Sequence, residues 1–146
     1  SCSIQVVFSL TDVPLVMADP VQLEQLVLNL IQNAIDALRR QTSAMRIVEL
    51  SSAKDGEDSV ILSIRDTGQG MSQKELTHVF DPFYTTKTSG LGMGLTICHS
   101  IAESHHAQLW ATSRPDSGAT FTLRIPVAQP ANPAHPDTNA SSSLHE

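Results

Sequence analysis

The sequence predicts an α/β two-layer sandwich, with helices on one face of a mixed, mostly antiparallel sheet. Stretches of alternating apolar and polar residues, typical of half-buried strands, occur in pairs around turn residues. Between these pairs lie segments whose apolar residues recur at helical spacing. Hairpins that alternate with helices are typical of this α+β arrangement, and 146 residues suffice for one domain with a sizeable core.

Each predicted element has a local signal. Asp19-Pro20 starts a long helix, with Asp as the N-cap and Pro at the first helical position. Ser72 and Glu75 form a capping box for a short helix. In chain order, the predicted elements are a strand at Ile4–Leu10, a short extended piece at Pro14–Met17, a helix from Asp19 to about Arg40, strands at Ile47–Ser51 and Val60–Arg65, helices at Ser72–Val79 and Leu95–His105, and strands at Gln108–Ser113 and Ala119–Ile125.

The composition indicates where the folded domain ends and which classes of ligand are excluded. Residues 1–126 are predicted to fold, and residues 127–146, rich in Pro, Ser and Ala, to form a disordered tail that buries too little apolar surface. The net charge of −6 argues against a nucleic-acid or anionic-membrane surface. The apolar runs are too short to span a bilayer. The two cysteines, of which Cys98 is predicted to be buried, fit reducing, cytoplasmic surroundings.

The long helix carries a polar stripe beside its apolar one. Asn29, Asn33 and Asp36 fall on one narrow arc, where a solvated helix face would normally carry Lys and Glu. An asparagine carbonyl is a suitable neutral oxygen ligand for Mg²⁺. We therefore predict that the two asparagines point into a binding cleft. A polar seam between the helix and a loop is the alternative.

A second motif follows the strand that ends near residue 65. Gly68 and Gly70 allow the chain to turn tightly behind Asp66. A carboxylate held at such a turn can accept a hydrogen bond from an exocyclic amine, as on adenine. An aspartate before glycines also commonly organises an Asx turn and nothing else, so two interpretations are open at this point.

The third motif is a glycine-rich segment from Phe80 to Leu95. Gly90, Gly92 and Gly94 precede a predicted helix, and the free N–H groups of a helix start favour an anion. Lys87 would add a cation. The segment lacks the Gly-Lys-Ser/Thr of a Walker motif and the buried strand that precedes a Rossmann fingerprint. Glycine runs of this kind also occur in plain flexible loops, so phosphate binding and a flexible loop are both open at this point.

Taken together and in this order, the motifs resemble the catalytic and ATP-binding domain of sensor histidine kinases, within the larger group that includes gyrase B, Hsp90 and MutL. The resemblance covers about residues 4 to 126. The implied fold is the group's Bergerat-type sandwich, with about three helices on the sheet and ATP between the helices and a lid. The five matching boxes are the N box Asn29–Ala37, the G1 box Asp66–Gly70, the F box Phe80–Phe83, the G2 box Gly90–Leu95 and the closing motif Ser117–Phe121.

The resemblance implies a role for each matching position. Asn33 would ligate Mg²⁺, and Asn29 would contact the phosphates. Asp66 would bind the adenine amino group, which Thr120 would help to hold. Asn29 and Lys87, the lid cation, are the implied catalytic residues. The other implied ATP-binding residues are Asp36, Gly68, Gly70, Met71, Gly90, Leu91, Gly92, Met93, Gly94 and Leu95.

Two positions depart from the family's pattern. Asp36 stands where many histidine kinases have Lys or Tyr. An acid there can pair with Arg40, one turn on, or face the metal shell, but it cannot neutralise phosphate. Ala119 replaces a glycine that is frequent in the closing motif.

The predicted activity is that of a protein-histidine kinase that uses ATP and Mg²⁺ in two-component signal transduction. In the gyrase and MutL members, a Glu one turn before the metal-binding Asn activates water. Here that position is Asn29, an amide without useful basicity, which favours phosphoryl transfer over hydrolysis. A gyrase- or MutL-type ATPase and a nucleotide-binding regulatory module, such as an anti-sigma serine kinase, are the alternatives.

The six histidines lack the sequence context of the family's phosphorylated histidine. The acceptor is therefore expected on a dimerising helical hairpin that precedes this chain. That hairpin, ATP or ADP and a response regulator are the expected partners, and no nucleic acid is expected. The domain is expected in the cytoplasm, even if the full-length protein is anchored in the inner membrane.

Overall fold

The computed structural model describes residues 3–40, 45–82, 84 and 94–128. These residues form the predicted sandwich of five strands and three helices. In chain order the elements are β1 (Gln5–Leu10), α1 (Pro20–Arg39), β2 (Ile47–Asp55), β3 (Ser59–Asp66), α2 (Gln73–His78), α3 (Gly94–Ser104), β4 (Gln108–Ser113) and β5 (Ala119–Pro126). Within this described part, no helix is both long and apolar enough to cross a bilayer.

The sheet is mixed and mostly antiparallel, as predicted. Its strand order is β1-β2-β3-β5-β4, with β1 and β2 parallel and the other neighbouring pairs antiparallel. Alternate side chains of the strands face the helices and form the core with them. The buried residues of that core include Leu26, Leu30, Ala34 and Leu38 of α1, Cys98, Ile101 and Ala102 of α3, and Val48, Leu50, Ile64, Phe121, Leu123 and Ile125 of the sheet.

Helix caps fix where α1 and α2 begin. The Asp19 carboxylate accepts hydrogen bonds from the N–H groups of Val21 and Gln22, at 2.9 and 3.2 Å. The Ser72 hydroxyl accepts the N–H of Glu75 at 3.2 Å. Both helices therefore start where the sequence predicts, because a side chain satisfies N–H groups that have no partner inside the helix.

Two elements differ from their predicted bounds by more than one residue at an end. β2 continues to Asp55 rather than ending at Ser51, because its polar second half stays paired with β3 along its whole length. Sheet pairing here overrides a sequence that lacks strand-like alternation. The extended piece expected at Pro14–Met17 is reduced to a single bridge between Val16 and Val127.

The folded part also continues beyond the predicted domain boundary at residue 126. The Val127 N–H donates to the carbonyl of Asp58 at 2.7 Å, and the Ala128 N–H donates to the carbonyl of Leu15 at 2.9 Å. These main-chain hydrogen bonds hold the first two residues of the predicted tail against the domain. The rest of that tail, residues 129–146, lies outside the described residues.

Candidate functional site

Asp66 ends β3 and is almost fully buried, with 2% of its surface exposed. Its Oδ1 accepts the N–H of Gly68 at 2.8 Å, and the backbone of Ala119 also hydrogen-bonds the carboxylate. The Asx turn considered from the sequence is therefore present. No salt bridge joins Asp66 in the parts of the chain that the structure describes. The carboxylate is thus oriented by the backbone and can accept a further hydrogen bond from a neutral donor.

Burial makes the ionised form of Asp66 costly. It raises the pKa of this carboxyl above its ordinary value of 3.8, and the hydrogen bonds from Gly68 and Ala119 offset only part of that rise. The folded chain therefore holds this proton at pH values where the unfolded chain has already released it. By linkage, the contribution of Asp66 to stability falls as the pH rises above 3.8 and through the folded-state pKa.

We expect this pH dependence of stability to appear when the chain is compared with the Asp66→Asn variant. The free energy of unfolding of the unsubstituted chain should fall relative to that of the variant as the pH rises from about 3 to 7. Denaturant unfolding of both proteins across this range measures the difference. Two stability profiles that stay parallel at all pH values would contradict the effect of burial.

Gly68 brings the Asp66 turn against α1. A Cβ at Gly68 would lie 2.8 Å from Oδ1 of Asp66 and 3.4 Å from the Cβ of Ala37. Ala37 is one helical turn beyond Asn33 and therefore shares its side of α1. The carboxylate turn and the asparagine face of α1 consequently lie together at one end of the sandwich.

The polar side chains of α1 lie between its buried and its exposed side. Asn29, Asn33 and Asp36 are all half-buried, between the buried apolar stripe and the exposed face. The Gln32 side-chain amide donates to Oδ1 of Asp36 at 2.9 Å. This hydrogen bond, from a residue one turn earlier, holds Asp36 along the surface of the helix.

The hairpin between β4 and β5 braces the Asp66 turn from the other side. Gly70 has φ +72°, and the carbonyl of Arg114 occupies the space that a Cβ would need. The Met71 N–H donates to the Ser113 hydroxyl at 2.7 Å, and this hydroxyl donates to the carbonyl of Gly118 at 2.6 Å. Gly70 and Met71 therefore contribute to the site through their main chain, which packs against the β4–β5 hairpin.

Thr120, which was expected to help hold the adenine, does not lie beside Asp66. The register between β3 and β5 pairs Asp66 with Ala119, and Arg65 with Thr120. Successive side chains of a strand point to opposite faces, and Phe121 packs in the core under the helices. Thr120 consequently lies on the sheet face away from α1, and Ala119 holds the position opposite the carboxylate.

The two ends of the predicted lid meet in the structure. Phe80 packs edge-on against Phe121, with ring centroids 6.2 Å apart, and the Thr96 hydroxyl donates to the Phe80 carbonyl at 3.0 Å. Gly94 is exposed at the start of α3, and Leu95 packs against the core. The predicted site residues between them, Lys87, Gly90, Leu91, Gly92 and Met93, lie outside the described residues.

The sequence was compared with the models of known protein families. Residues 18–129 match the family of histidine kinase-, DNA gyrase B-, and HSP90-like ATPases, and this match spans well over half of the chain. The chain belongs to this ATPase family. The family expected from the five sequence boxes is thereby confirmed.

Within the ATPase family, the relatives of this chain include sensor histidine kinases. The domain is 44% identical over 116 residues to the sensor histidine kinase TmoS of Ectopseudomonas mendocina, covering 79% of this chain and 12% of TmoS. It is 37% identical over 127 residues to the sensor protein FixL of Bradyrhizobium diazoefficiens, covering 86% of this chain and 25% of FixL. The chain therefore spans a quarter or less of the length of these curated relatives.

The fold is similar to that of a solved kinase domain. The nucleotide-free catalytic domain of histidine kinase ThkA superposes with a TM-score of 0.71 at 32% identity, covering 84% of this chain and 78% of that chain. This similarity confirms the predicted sandwich and places the ATPase-family domain with the catalytic domains of histidine kinases.

Several residues of the histidine-kinase-type domain shape the site without having been predicted as site residues. Ala37 of α1 lies close to Gly68, and the Ser113 hydroxyl accepts the N–H of Met71 in the turn. The backbone of Ala119 hydrogen-bonds the Asp66 carboxylate. Small residues and a strand-end hydroxyl carry no sequence signal for such contacts. Cys98, whose burial was predicted and is confirmed, lies on α3 with its Sγ 3.5 Å from the carbonyl oxygen of Leu26 in α1.

Proposed function

We propose that this domain binds Mg-ATP and donates the γ-phosphoryl group to a histidine on a separate helical hairpin, in two-component signal transduction. The observation that carries the proposal is the buried Asp66 carboxylate, which backbone N–H groups hold beside the asparagine face of α1. In a site of low dielectric, such an acceptor suits the amino group of adenine. Family membership and the similarity to sensor histidine kinases support nucleotide binding and phosphoryl transfer.

The polar face of α1 fits the phosphate end of the nucleotide. Asn33 offers a neutral amide oxygen, which suits Mg²⁺ because this ion keeps several waters and takes further ligands from substrate phosphates. The metal would supply neutralisation of phosphate charge. We assign Asn29 to phosphate contact, and Asp36 to the water shell around the metal rather than to phosphate, since a carboxylate cannot neutralise an anion.

Asn29 also decides which reaction the site favours. An amide has no useful basicity near neutral pH, so it can orient a phosphate but cannot activate water as a general base. Phosphoryl transfer depends mainly on positioning and charge stabilisation, which this face of α1 can provide. We assign Lys87, Gly90, Gly92 and Gly94 to a lid that covers the phosphates. Leu91, Met93 and Leu95 are the apolar residues of this proposed lid.

The proposed partners follow from the reaction. The phosphoacceptor hairpin receives the group from ATP, and a response regulator receives it from the hairpin. The sensor histidine kinase TmoS and the sensor protein FixL, which are much longer than this chain, support this arrangement. We place the catalytic domain itself in the cytoplasm, where ATP is available.

Transfer from labelled ATP tests the proposed function. The domain is mixed with γ-labelled ATP, Mg²⁺ and the separately produced segment that precedes it in its gene. We expect acid-labile, base-stable label on that segment, as for phosphohistidine. Asn33→Ala should slow the labelling at least about tenfold, because it removes a metal ligand. Glu24→Ala, an exposed change on the same helix, is the matched control and should leave the rate unaltered.

Two other results would replace this proposal. Acid-stable label would identify a serine kinase of the anti-sigma type. Steady phosphate release by the isolated domain, at a rate that Asn29→Ala does not change, would identify a hydrolase that activates water elsewhere.

A further inference from the structure

The strand β1 lies at one edge of the sheet, and its apolar side chains are uncovered. Val6, Phe8 and Leu10 are 46%, 65% and 61% exposed. The register between β1 and β2 places Val6 beside Val48 and Phe8 beside Leu50, two buried residues of the core. The exposed side chains therefore belong to the helix-bearing face of the sheet, where α1 packs over β2 and β3 and leaves them open to solvent.

The main-chain groups of the same three residues also point outward. The Gln5 N–H donates to the carbonyl of Arg46 at 2.9 Å, so the main-chain groups of Gln5 face β2. Because these groups alternate in direction along a paired strand, those of every second residue after Gln5 face β2 as well. The N–H and C=O groups of Val6, Phe8 and Leu10 therefore point to the free edge.

The sequence of β1 lacks the features that usually protect an edge strand. Gln5–Leu10 contains no charged residue and no proline, and its 6 residues pair with β2 without a bulge. Charges, prolines and bulges are common on natural edge strands, because a free edge can pair with a strand of another molecule. β1 is therefore open to the addition of a further strand.

A second copy of the chain fits this edge when the two β1 strands run antiparallel about a two-fold axis. If the axis passes between the two Phe8 residues, Val6 of one copy stands opposite Leu10 of the other. Each outward N–H then has an outward carbonyl of the other copy as its partner. The apolar side chains also pair on one face, Phe8 with Phe8 and Val6 with Leu10. A shift of one residue would set Ser9, whose main-chain groups face β2, against an outward-pointing residue and lose these hydrogen bonds.

We propose that the exposed edge of β1 is a homodimer interface, through which two copies of the chain form one continuous sheet. Three exposed side chains and one strand edge per copy bury less than about 1,200 Å² in total, the range of weak and transient complexes. We therefore expect dimers at protein concentrations above about 0.1 mM. Each chain carries a net charge of −6 and β1 carries none, so repulsion opposes association and added salt should favour it.

Sedimentation of the 146-residue chain at increasing concentration tests the dimer. The dissociation constant should fall at least about threefold when salt rises from about 20 to 200 mM, because screening weakens the repulsion. Phe8→Asp sets two carboxylates opposite each other at the axis and should raise the dissociation constant at least about tenfold. Leu15→Asp, the same change at an apolar residue that is 84% exposed outside β1, is the matched control and should leave the constant unaltered. Thermal unfolding identifies the variants that are folded.

Cysteine cross-linking tests the register by a second measurement. In a Cys2→Ser background, with Cys98 buried and unchanged, Phe8→Cys should form a covalent dimer on mild oxidation. Opposite Cα atoms of such a pair lie about 5.5 Å apart, and a disulfide needs about 4.4–6.8 Å. Val6→Cys alone should not cross-link, because its two copies lie about 14 Å apart along the strands. It should cross-link to Leu10→Cys when the two variants are mixed.

Three results would overturn the inference. The first is a chain that stays monomeric at about 1 mM in high salt. The second is a dimer that Phe8→Asp and Leu15→Asp weaken equally, which would place the interface elsewhere. The third is self-cross-linking of Val6→Cys as readily as of Phe8→Cys, which would exclude the two-fold register. The interface does not depend on nucleotide binding, so each of these results would leave the proposed function intact.

Discussion

Asp66→Asn is expected to weaken nucleotide binding by about thirtyfold, the equivalent of one charge-assisted hydrogen bond of about 2 kcal/mol. Asparagine has the size of aspartate, and its carbonyl oxygen can still accept the N–H of Gly68 and keep the turn. Its amide nitrogen, however, is a donor where the carboxylate offered an acceptor. It would oppose the adenine amino group or the Ala119 N–H instead of binding it.

The pattern of loss distinguishes this assignment from a general defect. Because Asp66 is proposed to contact adenine, the loss should be the same for ATP, ADP and adenosine, and it should not depend on Mg²⁺. Asp58→Asn is the matched control, since Asp58 is an exposed residue of the turn between β2 and β3. Titration of the three ligands into each variant measures the effect. An affinity of Asp66→Asn within twofold of the unsubstituted domain would remove Asp66 from the adenine site.

Gly118→Ala is expected to destabilise the domain by at least about 2 kcal/mol, through backbone strain and overpacking together. Gly118 has φ +72°, and a Cβ there would collide with the backbone carbonyl of Asp66 and lie 3.2 Å from the Cα of Thr67. Both obstacles are main-chain atoms at the end of β3, so no side-chain rotation can relieve them. The variant should therefore displace Asp66 and lose nucleotide affinity as well.

Gly56 supplies the control for this prediction. It has a similar φ of +66°, but no atom lies within 4 Å of the position that its Cβ would take. Gly56→Ala should therefore cost only the left-handed conformation, about 1 kcal/mol. Urea unfolding of both variants measures the difference. Equal losses at the two positions would show that the collision with β3 relaxes and contributes nothing.

The elements were predictable because their signals are local. The Asp19 cap and the apolar stripe of α1 lie within one segment, and the alternation of the strands is a property of each strand alone. β2 beyond Ser51 was not predictable in this way, because its polar half is a strand only through its pairing with β3. The same applies to Val127 and Ala128, whose partners are distant in sequence.

The turn at Asp66 was predictable from the sequence, but the residue of β5 that lies opposite it was not. Asp66 and its glycines indicated a tight turn with an oriented carboxylate, and the structure contains that turn. Which residue of β5 stands opposite Asp66 depends on the pairing of two strands, and a shift of one residue exchanges Thr120 for Ala119. No local pattern in the closing motif determines that pairing. The contact between Cys98 and the Leu26 carbonyl likewise exists only once α3 packs against α1.

The hydrogen bond from Thr96 to the Phe80 carbonyl has a consequence for how such domains diversify. It joins the residues on either side of the lid segment, and Phe80 is fixed in turn by Phe121. The entropy of closing a loop between fixed ends rises slowly, by about 0.6 kcal/mol for each doubling of its length. Insertions and deletions between these anchors therefore leave the stability of the core almost unchanged. The segment can diverge in length and composition while the fold beneath it stays the same.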